Sequence, residues 1–252
     1  MTCGCGDCQS RTTRRKFFAQ AVLSTGLLGL SLIQNHKANA TGRSVVDVAP
    51  GLDIFPRSEW GANLKPKHGL RAEQSVKFLL VHHTAASNTY SKTQVVNQIQ
   101  SIYRFHTGAK KWPDVCYNFF VDRFGGVWEG RAGSLAGPIE ADATGGSQGF
   151  AQLVCLLGNF ETARPSQAMI QSCSKVLGWL AIRSKIDLQQ TKTVSFISRG
   201  SNKWKAGSTV IARPISGHRD MSATLCPGKF VYPQLDLEIP KLANYYKTLF
   251  SG

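Results

Sequence analysis

The segment VKFLLVHHT, residues 76–84, restricts the possible folds of this chain more than any other. Its nearly continuous run of β-branched, aliphatic and aromatic residues predicts a strand that is buried on both faces, as in the interior of a sheet. Two histidines, His82 and His83, end that run. Successive side chains of a strand point to opposite faces, so only one of the two can reach a given ligand. Alternation alone does not decide which one.

The remaining patterns alternate between strand and helix. Ser91 and Gln94 are spaced as a capping box, and the apolar positions Val95, Ile99, Ile102 and Tyr103 predict one face of a helix. Further along we expect a hairpin over 117–131, a central strand over 151–160, a helix over 165–186, a loop-rich segment, a short strand into position 218 and a last helix over about 239–250. The pattern predicts an α/β protein, a single domain with a central mixed β-sheet flanked by helices.

The N-terminus has the composition of an export signal. The segment TRRKFF, residues 13–18, carries Arg14 and Arg15, and a mildly apolar run over 19–33 and Ala-Asn-Ala at 38–40 follow it. This order is typical of a twin-arginine signal peptide, here cleaved after Ala40. The apolar run is shorter than the roughly 20 residues of a spanning helix. We therefore expect no transmembrane segment after cleavage, with an uncleaved anchor as the alternative.

These features divide the chain into a signal peptide over 1–40, a short N-terminal segment over 41–53 and a folded domain over 54–252. The expected location is the periplasm, the cell wall or the extracellular space. The twin-arginine route carries proteins that have already folded, so the cysteines first meet a reducing compartment, which argues against disulfides. Cys155 and Cys173 are expected to be buried thiols, with a bridge between them as the alternative. The cysteines of CGCGDC, residues 3–8, fall in the part that cleavage would discard.

The charge balance narrows the choice of partner. The 252 residues include 30 Lys and Arg against 15 Asp and Glu, a net charge of +15. Such an excess favours a polyanionic partner, which is a nucleic acid, a membrane surface or an anionic cell wall. A nucleic-acid-binding protein would need a basic stripe or a recognised motif, and the positive charges here are scattered. We therefore expect no nucleic-acid partner.

Another histidine and a cysteine stand in the turn-rich segment GHRDMSATLCPG, residues 217–228. His218 and Cys226 are eight positions apart, so the loop can fold back and bring both side chains to one ion. Imidazole and thiolate are suitable donors for Zn²⁺, and a catalytic zinc has three protein ligands and one open position. Together with one histidine from the strand end, these residues predict such a site. A structural zinc normally has a fourth protein ligand, and the sequence offers no obvious one.

Five segments occur together in one order along the chain: IFPRSEWGA (54–62), LLVHHT (79–84), WPDVCYNFFVDRFGGVWEGR (112–131), LLGNF (156–160) and GHRDMSATLCPG (217–228). Together they resemble the peptidoglycan recognition proteins, a family that shares its fold with phage-type zinc amidases. The resemblance covers about residues 54–235.

The resemblance implies a Zn²⁺-dependent N-acetylmuramoyl-L-alanine amidase with its zinc in a surface groove. Such enzymes cut the amide between the lactyl group of N-acetylmuramic acid and the first alanine of the stem peptide. Peptidoglycan is the implied partner, and we expect a monomer.

The resemblance also implies roles for individual residues. It makes His82, rather than its neighbour, the third zinc ligand beside His218 and Cys226. It puts the Tyr117 hydroxyl near the metal, where it can hydrogen-bond the attacking water or the developing oxyanion. It gives Thr224 a similar role, because a donor to the tetrahedral intermediate acts where charge grows in the transition state. A role in local turn structure is the alternative for Thr224.

Substrate contacts are implied for Trp112, Arg131 and His83, and Trp112 favours a stem peptide that contains diaminopimelate. The chain departs from the family pattern at Cys116, where a glycine usually precedes the tyrosine. It departs again near Ala143, where a groove histidine is often found. The resemblance therefore implies an intact metal centre in an altered substrate groove.

Two questions stay open at the level of sequence. No carboxylate is an obvious general base, and Glu129 and Asp220 are the candidates.

The first alternative function is a non-catalytic peptidoglycan-binding module on the same fold. The resemblance implies that such modules typically lose the metal-binding cysteine, which is retained here as Cys226. The second alternative is a secreted structural zinc protein.

Overall fold

The computed structural model describes residues 36–38, 42–189 and 191–252. The predicted twin-arginine motif and the cysteine cluster at 3–8 lie outside these residues. The strands of the described part are β1 (His36–Ala38), β2 (Ser44–Ala49), β3 (Leu52–Phe55), β4 (Phe78–His83), β5 (Phe119–Val121), β6 (Val127–Glu129), β7 (Ala151–Leu156), β8 (Val194–Ile197), β9 (Thr209–Ala212) and β10 (Ile215–Gly217). Eight of them form one sheet in the order β1-β2-β3-β6-β5-β7-β4-β10, and β8 and β9 form a separate hairpin.

The main sheet is mixed, as the sequence predicts. β7 lies between β4 and β5 and pairs with both in parallel, and β10 extends the parallel part beyond β4. β5 and β6 form the predicted antiparallel hairpin, and β6 pairs with β3 in parallel. Every residue of β4 and of β7 is buried. The continuous apolar runs of these two strands are explained by burial on both faces.

Helices cover both faces of the sheet. They are α1 (Ser58–Gly61), α2 (Val95–Gly108), α3 (Gln167–Arg183), α4 (His218–Met221) and α5 (Ile239–Ser251). α3 and α5 pack on the face that carries Leu79 and Val81, whereas α2 packs on the face that carries Phe78 and Leu80. Successive side chains of β4 therefore enter different cores. The same alternation sets the directions of the two histidine side chains at the end of the strand.

The start of α2 follows the predicted capping box. The Ser91 N–H donates to Gln94 Oε1 at 2.8 Å, and one 3-10 turn over Lys92–Gln94 leads into the helix. Three of the four apolar positions of the predicted stripe are buried, namely Val95, Ile99 and Tyr103, and the fourth, Ile102, is partly buried. Because this stripe faces the core, the opposite side of α2, which carries polar residues, faces away from the core.

The sheet begins earlier than the predicted boundary at residue 54. The predicted short segment over 41–53 instead supplies β2 and the start of β3, which pair around a turn at Gly51, with φ of +72°. Leu52 and Ile54 are buried in the core. Alternating apolar residues on either side of Pro-Gly are the signal for this hairpin. β1 lies inside the predicted signal peptide and pairs with β2, so cleavage after Ala40 would leave β2 at the edge.

The predicted loop-rich segment between α3 and β10 contains the β8–β9 hairpin. Phe196 of β8 packs against Phe78 and Phe150, with ring centroids 5.4 Å apart in both pairs. These aromatic contacts hold the hairpin against the core on the α2 side of the sheet.

Four cysteines lie in the described part of the chain, and all four are buried free thiols: Cys116, Cys155, Cys173 and Cys226. Cys155 faces the α2 side of the sheet, and Cys173 of α3 lies in the core on the opposite side. The sheet therefore separates them, and they form no bridge. None of the described helices is both long enough and apolar enough to cross a bilayer.

Candidate metal centre

The predicted metal ligands meet where β4 and β10 end side by side. β10 pairs with β4 in parallel, with Gly217 opposite Val81, so the next residue of each segment falls at the same edge of the sheet. These residues are His218 and His82, whose ring centroids are 4.3 Å apart. Both are buried, on the face that α2 covers.

The loop after β10 is closed by hydrogen bonds between its two ends. Asp220 Oδ2 accepts the N–H of Gly217 at 2.8 Å, which fixes the start of α4 at His218. The N–H of Arg219 donates to the carbonyl of Cys226 at 2.9 Å. The cysteine is thereby returned to the sheet edge that carries the histidines.

The sulfur of Cys226 lies against the two histidines at the end of β4. Sγ is 3.7 Å from His82 Nδ1, and it accepts the backbone N–H of His83 at 3.3 Å. The sulfur also lies 3.8 Å from the carbonyl oxygen of His83, to which a thiol can donate; the N–H of His83 is the contact that a thiolate can keep as an acceptor. The thiolate is the form that binds a metal.

The three residues offer a compact set of donors. One ligand atom from each of His82, His218 and Cys226 lies within 4.8 Å of the other two, and all three residues are buried. His82 Nε2 is buried and has no hydrogen-bond partner among the described residues, which is unusual for a buried polar atom. Two imidazoles and a thiolate suit Zn²⁺ and leave one position of a tetrahedral site open. The residues present therefore fit a zinc ion.

Burial keeps both histidines neutral. It holds the pKa of His82 well below its usual value, and the neighbouring His218 and His83 add to the effect. Burial, together with His83, lowers the pKa of His218 to about 4. A neutral imidazole has the lone pair that a metal requires. Both histidines are thus in the ligand form at neutral pH.

The candidate centre lies in a groove of about 590 Å³ beside α2. His218, Cys226 and Tyr117 line this groove, while His82 is 0 % exposed beneath it. The ring of Tyr117 lies 5.1 Å from that of His82. The tyrosine thus stands beside the donor set, as the resemblance implies, and its catalytic role stays a prediction.

His106, in the last turn of α2, is a groove residue that the sequence analysis missed. Its Nδ1 accepts the N–H of Cys116 at 3.2 Å, and its ring packs 4.9 Å from Trp112 and 5.7 Å from Tyr117. Burial, aided by nearby cations, lowers the pKa of His106 to about 3. Position 106 continues the buried helical stripe of 95, 99 and 103, a pattern that predicts burial but not a place in the groove.

Two of the three implied substrate contacts lie outside the groove. Arg131 is buried, and its Nη1 donates to Asp142 at 2.7 Å and to the carbonyl of Val115 at 3.1 Å. His83 faces the other side of the sheet, where its Nδ1 accepts the N–H of Phe160 at 3.1 Å. Strand alternation turns His83 away from the groove lining, and the ion pair with Asp142 turns Arg131 away from it. Trp112 does line the groove.

The remaining candidates have structural partners. Thr224 Oγ1 accepts the N–H of Cys226 at 3.2 Å. This contact is the role in local turn structure that the sequence analysis gave as the alternative for Thr224. Glu129 accepts two backbone N–H groups, each at 3.0 Å, and Asp220 accepts the hydroxyl of Tyr232 at 2.6 Å. Within the described part of the chain, no carboxylate lines the groove. Neither candidate general base is therefore placed to act as one.

Comparison with known proteins gives a consistent result. The sequence pattern of a family described as N-acetylmuramoyl-L-alanine amidase matches residues 72–229. Peptidoglycan-recognition protein SC2 of Drosophila melanogaster is 25% identical over 185 residues, which cover 73% of this chain and 85% of that protein. The crystal structure of Drosophila peptidoglycan recognition protein SD has a TM-score of 0.58 at 17% identity, covering 74% and 94% of the two chains. The crystal structure of peptidoglycan recognition protein LE in complex with tracheal cytotoxin has a TM-score of 0.55 at 22% identity, and the match covers 73% of this chain and 92% of that chain.

Proposed function

Since this chain belongs to the N-acetylmuramoyl-L-alanine amidase family, we propose that it is a zinc-dependent enzyme that cuts peptidoglycan between the lactyl group of N-acetylmuramic acid and the first alanine of the stem peptide. The observation that carries the proposal is the convergence of His82, His218 and Cys226 at the groove beside α2. A protein that only bound the polymer would need the groove but not three buried metal donors.

His82, His218 and Cys226 would hold the ion, and a tetrahedral zinc would keep one position open. Bound there, zinc supplies a Lewis acid and a water whose pKa is lowered to about 7, which hydrolysis of an unactivated amide requires. The chain contributes the neutral state of the two histidines, and the His83 N–H stabilises the thiolate.

We assign to two hydroxyl groups the stabilisation of the negative charge that develops on the amide oxygen. Tyr117 lines the groove beside His82, so its O–H can donate to an oxyanion formed at the centre. Thr224 Oγ1 accepts the Cys226 N–H, and its own O–H can still donate, because a hydroxyl offers one donor and two acceptor sites. Donors aimed at developing charge lower the barrier.

Peptidoglycan is the proposed substrate. The related protein LE has been solved with tracheal cytotoxin, a monomeric diaminopimelic acid-type peptidoglycan. Trp112 lines the groove of the present chain, and we assign it a contact with the stem peptide, which we propose contains diaminopimelate. Cleavage after Ala40 would remove five basic residues and one acidic residue from the net charge of +15, and the remaining +11 favours attraction to an anionic wall.

We place the site of action outside the cytoplasm, after export by the twin-arginine route. Support comes from the sequence pattern at 13–40 and from the four buried free thiols of the described part. Thiols of this kind are compatible with folding in a reducing compartment before export.

Digestion of purified sacculi tests the proposed function. Mass spectrometry of the soluble products should show stem peptides with a free N-terminal alanine, and a zinc chelator should abolish their release. The His82→Ala variant should release none. If the wild-type protein binds sacculi but releases no peptide with zinc supplied, it is a binding module and not an amidase.

A further inference from the structure

α4 is a single short turn of helix that begins at one of the candidate metal ligands. It covers His218–Met221, and Cys226 follows it in the same loop. The last four carbonyls of a helix have no partner inside the helix, so in a helix of four residues every carbonyl needs a partner from beyond it. The carbonyl of His218 accepts the N–H of Ser222 at 2.9 Å. The other three carbonyls depend on a different part of the chain.

That part is the connection between β8 and β9, residues 198–208, which we call the hairpin tip. Each of the three carbonyls accepts a hydrogen bond from a different side chain of the hairpin tip: Arg219 from Lys203 Nζ at 2.7 Å, Asp220 from Trp204 Nε1 at 2.9 Å and Met221 from Ser201 Oγ at 2.8 Å. Asn202 binds the residue that follows Ser222. Its Oδ1 accepts the N–H of Ala223 at 2.8 Å, and its Nδ2 donates to the Ala223 carbonyl at 3.2 Å. Four consecutive side chains therefore fasten the backbone between the two metal ligands of this loop.

The hairpin tip is fixed by contacts of its own. The N–H of Ser201 donates to the carbonyl of Trp204 at 2.8 Å. Ser201 Oγ accepts the N–H groups of Lys203 and Trp204 at 3.1 and 3.0 Å. The N–H of Arg199 donates to the carbonyl of Gly146 at 2.8 Å, which ties the tip to the body of the domain. These contacts involve none of the candidate metal ligands, so the tip keeps its shape without an ion.

We propose that the hairpin tip holds α4 and the loop after it in the metal-binding arrangement before an ion binds, with Asn202 and Trp204 as positioning residues. A flexible loop loses conformational freedom when two of its side chains bind the same ion. A loop that is already ordered loses less, and it therefore binds the ion more tightly. The choice of zinc as the ion rests on the proposed function.

Hydrogen exchange in the metal-free protein tests this arrangement, after a chelator has removed the metal. The double variant Asn202→Ala/Trp204→Phe removes both Asn202 contacts and the indole donor but keeps an aromatic ring at position 204. The backbone amides of residues 219–226 should exchange about tenfold faster than in wild type, because the loop then opens more often. This readout requires neither zinc nor activity.

Zinc affinity measures the consequence for the metal site. Competition with a chelating dye should give a Kd about tenfold weaker in the double variant than in wild type. Asn202→Asp keeps an acceptor for the Ala223 N–H and should retain most of the affinity. Ser208→Ala is the matched control, because it removes a hydrogen bond inside the same tip, from Ser208 Oγ to the Lys205 carbonyl at 2.6 Å. It should change neither the exchange rates nor the zinc affinity.

The positioning role is overturned if the double variant binds zinc as tightly as wild type, or if residues 219–226 exchange at the wild-type rates. A role in stability alone would lower the midpoint of urea unfolding and leave the zinc affinity of the folded protein unchanged. The outcomes also separate this role from the proposed function. A wild-type protein that binds no zinc overturns both, whereas weaker zinc binding by the double variant supports the positioning role even if the wild-type protein releases no stem peptide.

Discussion

His83 donates its backbone N–H to Sγ of Cys226 over 3.3 Å, although its side chain lies on the opposite face of the sheet. The two neighbouring histidines of β4 therefore both serve the candidate centre, by different atoms. His82 offers its imidazole, and His83 offers only its main chain. A substitution of the His83 side chain leaves that contribution in place.

His83→Ala should keep the metal. It removes the imidazole that accepts the Phe160 N–H at 3.1 Å, and an unsatisfied buried N–H should lower the free energy of unfolding by about 1–3 kcal/mol. Elemental analysis should find one zinc per chain, and urea unfolding should show the loss of stability. His82→Ala is the matched control and should lose the metal. The assignment of faces fails if His83→Ala empties the site while His82→Ala leaves it full.

Tyr117→Phe should separate catalysis from metal binding. The ring keeps its packing against His82 and Phe120, with centroids 5.1 and 5.6 Å away, so the zinc content should stay at one per chain. Loss of an oxyanion donor should lower kcat by roughly 10²- to 10³-fold. The measurement is the rate of stem-peptide release under saturating substrate. A variant that turns over at the wild-type rate would remove Tyr117 from the mechanism.

Stability should fall as the pH rises from about 6.5 to about 8, because Glu73 loses its proton in the unfolded chain but keeps it when folded. Below about pH 6.5 the buried neutral histidines His82, His106 and His218 contribute a slope of the opposite sign. Burial raises the pKa of Glu73, which is hydrogen-bonded to Gln152, from 4.5 to about 8. Between these values the unfolded chain ionises and the folded chain keeps its proton, so ionisation favours unfolding by up to about 1.4 kcal/mol per pH unit. The contribution of Glu73 to stability is fully present below about pH 4.5 and is lost as the pH rises to about 8. Urea unfolding at several pH values measures the slope.

Glu73→Gln should flatten that slope, because the amide does not titrate and can keep a hydrogen bond to Gln152. Asp187→Asn, a change at an exposed acid, is the control and should keep the slope of the wild type. The assignment of the buried neutral carboxyl to Glu73 would be refuted by a slope that is the same in Glu73→Gln and in wild type.

Replacement of Arg14 and Arg15 by lysine should trap the protein in the cytoplasm. The twin-arginine reading rests on this pair and on Ala-Asn-Ala at 38–40. Fractionation followed by N-terminal sequencing checks it, and the exported wild-type protein should begin near Thr41. Export that continues with both arginines replaced, or a mature N-terminus far from Thr41, contradicts the signal.

Local patterns predicted most of the elements, because β4, β7 and α2 each carry an unambiguous period or apolar run. They also predicted that His82 and His83 face different ways. They did not predict how the chain brings distant segments together. The pairing of Gly217 with Val81, which sets His218 against His82, joins residues far apart in the sequence. In the site, the resemblance supplied the choice of histidine that alternation left open.

The differences between the sequence-based expectations and the structure have the same physical origin. Arg131 has the character of a groove cation, but the partner that turns it inward, Asp142, lies in a different loop. The hairpin of β2 and β3 was signalled by Pro-Gly between alternating residues, and its place in the sheet depends on pairing with β6. His106 stands on a helical stripe that reads as core, and only the fold shows that the end of this stripe opens into the groove.

In the proposed zinc centre, Cys226 binds the ion as a thiolate beside His82 and His218. The most direct measurement is zinc per chain in Cys226→Ser, by elemental analysis, together with the release of stem peptide from sacculi. Cys173→Ser, at a free buried cysteine on the other side of the sheet, is the matched control. Cys226→Ser should lose most of its zinc and nearly all of its activity, because a hydroxyl is a far poorer zinc donor than a thiolate, and Cys173→Ser should keep both. A Cys226→Ser protein that remains fully metallated and active would contradict the account.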